Sequence, residues 1–210
     1  MVDVISRNRA AGFDVVRWLA FSLLCAGGSL GLSWLGPVVP LPTVVRGVGG
    51  LLAILVLPLA SLLVPMLLLR RAPLKKRKMA WQLIVPLIAG VAMGFFGTAA
   101  GGTAALADRG VWADAVVVSA DYSSTNHCEL RTVDGQDISP SLSESDGCRD
   151  SVSKGDELSV RYDPEGVASP DDGRSDSDGV LLATLFGAAV VMGTWGGVRQ
   201  SKWDREYGDA

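Results

Sequence analysis

Four runs of about twenty apolar residues constrain this chain more than anything else in it. They lie at roughly 16–36, 47–69, 80–103 and 179–198. A bilayer's hydrocarbon core, about 30 Å thick, is spanned by about 20 predominantly apolar residues in a helix. The last three runs contain no charge, and the first carries only Arg17, one turn from its amino end, where a long side chain snorkels to the headgroups. A charge at a helix centre costs about 2.5–3.5 kcal/mol on insertion scales. A core helix of a soluble protein carries a polar stripe, and residues 51–69 have none. The expected architecture is a four-helix transmembrane bundle.

Within it, Trp18, Trp34, Trp81 and Trp195 fall near span ends and are expected among the headgroups. Gly27 and Gly31, Gly90 and Gly94, Gly97 and Gly101, and Gly193 and Gly197 have the GxxxG spacing that lets helices approach closely. Pro58 and Pro65 are expected to bend the second helix. The first run exceeds signal-peptide length and lacks a clear A-x-A site, so it reads as an uncleaved signal anchor.

Charge gives the expected orientation. Between the second and third runs, Arg70, Arg71, Lys75, Lys76, Arg77 and Lys78 fill six of nine positions, whereas the connection between the first two has only Arg46. Short loops rich in Lys and Arg stay cytoplasmic. Both termini, with Arg7 and Arg9 at one end and Arg199, Lys202 and Arg205 at the other, are then cytoplasmic, and residues 108–178 extracytoplasmic. A second reading of the basic loop is an anionic-lipid clamp.

That exterior segment holds 17 of the 22 acids and 6 of the 19 bases, eleven net negative charges. Such a surface repels phosphates, so nucleic acid is not an expected partner; the lipid bilayer is. Val111 opens a run of β-formers, Asp134-Gly135 separates two strand-like runs as a type I′ turn would, and Leu158, Val160 and Tyr162 alternate on one face before Asp163-Pro164. The expectation is a small antiparallel β-barrel or sandwich-like domain inserted between helices 3 and 4. The chain thus divides into 1–107, with the amino-terminal tail and helices 1–3; 108–178, the β domain with its acidic linker; and 179–210, helix 4 and the carboxyl tail. Core burial alone makes so small a domain marginal. Cys128 and Cys148 both fall in it and are expected to form a disulfide, while Cys25 stays alone in the first span.

The segment GDELSVRYDPEG, followed by a membrane helix, resembles bacterial, high-GC (actinobacterial) membrane proteins of a domain-of-unknown-function family, whose exterior domains end in G-D-x-[LV]-x-V-x-Y-D-P. The matching residues are Gly155, Asp156, Leu158, Val160, Tyr162, Asp163 and Pro164. This likeness implies an architecture and no chemistry.

Reactive groups do not converge. His127 lacks partners for a zinc site, and residues 169–179, aligned as a calcium loop on Gly179, would offer Arg174 and Leu185 as ligands. Ser123, Ser124 and His127 lie close together without a G-x-S-x-G, and no phosphate-binding loop occurs. Neither an enzyme nor a cofactor is expected. The last three spans contain no Asp, Glu or His, which disfavours a self-contained proton-coupled carrier. The expected function is display of a non-catalytic exterior domain for binding or scaffolding an envelope partner, through residues 139–147 or the strand edges near Tyr162. The alternative is an accessory subunit of a transporter or secretion complex, acting through its helices. The sequence leaves the oligomeric state open.

Overall fold

The structure, a computed structural model, describes residues 2–68, 80–122, 125–173 and 179–208. The basic loop with Arg70, Arg71, Lys75, Lys76, Arg77 and Lys78 lies outside the described residues, as do Ser123 and Ser124. The chain forms two compact units: Met1–Ser33 with Thr43–Gly97 and Gly179–Ala210, and Trp34–Pro42 with Thr98–Asp178.

Among the described residues, four helices are long and apolar enough to cross a membrane: Gly12–Val38, Thr43–Leu68, Trp81–Arg109 and Gly179–Glu206. The shortest has 26 residues, about 39 Å at 1.5 Å per residue, which exceeds the hydrocarbon thickness. Most of each apolar window faces outward, with between 17% and 39% buried in the protein. Lipid is the only solvent that suits so much exposed Leu, Val and Phe.

In the first unit, small residues set how closely the helices pack. A Cβ at Gly197 would sit 2.4 Å from Cδ2 of Trp18, and one at Gly193 would sit 2.7 Å from Oγ of Ser22. Trp18 Nε1 donates to Ser201 Oγ at 2.7 Å, and Arg205 pairs with Asp14. Residue numbers ascend along one helix as they descend along the other, so the first and fourth helices run antiparallel. Trp18 is 1% exposed. It therefore does not lie among the headgroups as its position near a span end suggested. The space over Gly197 admits its ring, and the Ser201 hydroxyl satisfies the indole N–H that burial would otherwise penalise. Trp34, Trp81 and Trp195 do remain exposed.

The third helix uses Gly90 against Pro58, Gly94 against Ile54 and Gly97 against Ser33. Those small faces are taken up inside the chain, whereas Gly27 and Gly31 have nothing within 4 Å. Ala26, Ala89, Met93 and Ala189 form the buried centre. The second helix changes pitch just before Pro58: residues Leu52–Val56 form a π-type turn, with the Leu57 N–H donating to Leu52 O.

The second unit carries four strands, β1 (Val111–Asp121), β2 (His127–Thr132), β3 (Asp137–Ser143) and β4 (Glu157–Tyr162), between the third and fourth helices. They form one antiparallel sheet in the order β3-β2-β1-β4. The expected antiparallel domain is therefore present, as an open sheet with two edges. Alternation along β1, β2 and β4 sends Ala115, Val117, Cys128, Leu130 and Val160 to one face, where Cys148 and Val152 from the following loop cover them. The Cys128–Cys148 disulfide, with Cα atoms 5.6 Å apart, joins that loop to β2. Tyr122 Oη donates to Val152 O, and Asn126 Nδ2 donates to Asp150 Oδ1 at 2.7 Å, holding the same loop.

Two local expectations change. The Asp134-Gly135 hairpin is where the sequence put it, but the turn is not type I′. Only Gly135 has positive φ, at +90°, and its N–H reaches Thr132 O while the Thr132 N–H reaches Gln136 O. That is a three-residue loop with glycine at the left-handed position, which spares Asp134 a strained φ. The acidic tail also remains structured further than a solvated linker would. Asp171 bridges to Arg161 on the β4 edge, and Asp172 pairs with Arg149 at 3.6 Å.

Candidate functional site

The β4 motif ends in Arg161-Tyr162-Asp163-Pro164, and its alternation decides what each side chain does. Tyr162 packs against the sheet core, while Arg161 and Asp163 point the other way. Asp163 opens a tight turn, with the Gly166 N–H donating to Asp163 O at 2.9 Å. Pro164 pre-sets φ at the second position, and Gly166 takes φ +68°. The turn folds the next residues back over the carboxylate. Asp163 Oδ1 accepts the Glu165 N–H at 3.0 Å, and Oδ2 accepts those of Val167 and Ala168 at 3.2 and 3.0 Å.

The same carboxylate grips Arg109, the last residue of the third helix. Nε donates to Oδ1 at 3.0 Å and Nη2 to Oδ2 at 2.9 Å, a bidentate pair. The remaining donors go elsewhere: Nη1 reaches Val38 O at 2.8 Å and Nη2 reaches Pro37 O at 2.7 Å. Those carbonyls end the first helix, where the last turn leaves acceptors without intrahelical partners. One guanidinium therefore caps the first helix while held by the turn after β4. Arg161 does the matching task for the third helix, donating from Nη2 to Ala107 O at 3.1 Å and from Nε to Gly110 O at 3.4 Å. A Cβ at Gly110 would lie 2.9 Å from Arg161 Nε, so glycine there keeps the guanidinium in place.

Electrostatics follow from this geometry. Burial of Asp163 pushes its pKa up, but the Arg109 hydrogen bond and the Ala168 and Glu165 N–H groups outweigh that and hold it at about 2. Its folded value lies below its unfolded one, so its contribution to stability is complete above about pH 4 and is lost as pH falls through about 2. Thermal melts of the full chain in detergent should therefore show a decline between about pH 4 and 2, and Asp163→Asn should flatten that part of the profile. An unchanged profile in the variant would contradict the pairing.

Beside this node runs a cleft of about 190 Å³ between the start of β3 and the turn after β4, lined by Gln136, Ser139, Tyr162, Pro164, Glu165 and Gly166 among others. Ser139 and Tyr162, drawn from the two contact surfaces suggested by the sequence, thus share one concavity. The rest of 139–147 is not part of it. Asp137, also in the lining, pairs with the exposed Arg131 at 2.6 Å.

The residues from Gly155 to Pro164 divide by role. Gly155 takes φ +95° and donates its N–H to Val117 O; Asp156 Oδ2 accepts the Ser153 N–H; Leu158 and Val160 face the core. Among the described residues, no group of three His, Cys, Asp or Glu side chains is placed to hold a metal ion. His127 contacts Thr125 Oγ1 at 3.0 Å. Arg109 is the site residue that sequence reading missed. Its signal was a lone arginine closing an apolar helix, where a cation suits the last turn. Compared with protein-family models, with curated proteins and with solved structures, the chain matches none.

Proposed function

We propose that this protein displays its acidic β domain on the extracytoplasmic face and uses the cleft beside Tyr162 to bind an envelope component, without catalysis. The observation that carries the reading is the Arg109–Asp163 node, which ties the sheet's last strand to the ends of two apolar helices and leaves the neighbouring cleft open. Rigid support under a concave polar surface suits recognition, because a pre-ordered site loses less entropy on binding. Orientation rests on two supports: the six basic residues between the second and third spans, and a disulfide that persists in an oxidising compartment. The resemblance carried by Gly155 to Pro164 fits the same architecture.

A photoreactive residue placed at Ser139 in intact cells tests this. Crosslinking to an envelope component that is lost on Tyr162→Ala is the expected result. Crosslinking from Leu24 on the outward face of the first helix, with none from position 139, would instead support the accessory-subunit reading.

A further inference from the structure

The four apolar helices surround a narrow cavity whose lining includes Ser22, Cys25, Ser29, Pro58, Ser61 and Gly90. Three hydroxyls lie along its lining, in a part of the chain expected to be surrounded by hydrocarbon. Ser22, Ser29 and Ser61 are 5%, 1% and 7% exposed. Ser61 Oγ donates to Pro58 O at 2.6 Å and keeps its lone pairs available. Ser29 Oγ is buried with no hydrogen-bond partner among the described residues. An unpaired hydroxyl in a low-dielectric interior is costly, and nothing in hydrocarbon relieves it.

The cavity has about 10 Å³ of room for the centre of a water-sized body, close to the roughly 10–15 Å³ that one water requires. Its lining contains no carboxylate, so a cation would sit without a counter-charge and pay a large desolvation cost. A neutral molecule that both donates and accepts fits where an ion does not. The backbone here is also irregular: the π-type turn Leu52–Val56 runs into Pro58, which has no N–H to offer. Ordered water is one of the few groups able to satisfy backbone displaced in this way inside a membrane.

We propose that this cavity holds one structural water, hydrogen-bonded to Ser29 Oγ and shared with Ser61, and that it fixes the second helix against the first. The polar centre of the bundle is then neutral, a bridge between helices with no charge to carry. A crystal structure of the full chain grown from a lipid phase should show a solvent peak at roughly 2.7–3.2 Å from Ser29 Oγ, absent in Ser29→Val, whose branched side chain fills the space. A well-ordered cavity without that peak in the parent protein overturns the proposal. The sign of a second measurement is independent of crystals. If water partners the hydroxyl, Ser29→Ala should lower the melting temperature by about 2–4 °C, as for a lost hydrogen bond of about 1 kcal/mol in a chain of this size. If the cavity is dry, removing an unpaired hydroxyl leaves the melting temperature unchanged or raises it, and the water is excluded.

Discussion

Replacing Arg109 by leucine should destabilise the β domain by about 3–5 kcal/mol, the range found when removing one partner leaves a buried charge unpaired, because the Asp163 carboxylate left behind is buried. The cost has several sources here. Asp163, 2% exposed, would keep its charge with only main-chain N–H partners. The Pro37 and Val38 carbonyls would lose their donors at the end of the first helix. Arg109→Lys should recover part of the loss, because an ammonium supplies charge without the planar fork that reaches two carboxylate oxygens and two carbonyls together. With the chain in liposomes, β domain outward, protease cleavage within 125–157 reports the open population. A loss of 3–5 kcal/mol should raise the cleavage rate by roughly 10²- to 4 × 10³-fold when reclosing is faster than cutting. An increase below about tenfold would mean that the pair is not structural. Asp163→Asn should produce a smaller rise, since an amide oxygen still accepts from the turn.

How much of this was readable in advance follows from how local each signal is. The four spans are legible because a membrane helix is defined by composition over about twenty residues and needs no partner. The Asp134-Gly135 hairpin and the strand ending at Tyr162 were also local, and they fall where the residues indicated. The turn type was not, since whether Asp134 takes a positive φ depends on how β2 and β3 close. Arg109 and Asp163 are 54 positions apart, and each alone has an ordinary explanation: a cation at a helix end, and an acid before proline. Only the return of β4 alongside β1 brings them together. Trp18 failed for the same reason. Its place near a span end suggested the interface, and only the gap at Gly197, 179 residues away, reveals an interior seat. The cleft joins Ser139 to Tyr162 through a turn after β4, a tertiary closure with no sequence periodicity.

The cysteine pair was legible because compartment and spacing both bear on it, and its removal is the other large effect expected. Bridging residues 20 apart takes conformational freedom from the unfolded chain, which for a loop of that length amounts to roughly 3 kcal/mol. The domain has little else to rely on: nine buried residues form its core, and Cys128 and Cys148 are two of them, both 0% exposed. A Cys128→Ala/Cys148→Ala chain should therefore show β-domain opening increased by roughly 10²-fold in the same proteolysis assay. Reductant added to the parent protein should reach that state slowly, because buried sulfurs are attacked only after the loop over the sheet lifts. The two effects are then coupled in a checkable way: Arg109→Leu, which leaves the bridge intact but favours opening, should accelerate reduction of the disulfide in proportion to its effect on cleavage. Equal reduction rates in the two proteins would mean that the loop opens independently of the strand Asp163 anchors, and that the sheet and its base are separate cooperative units.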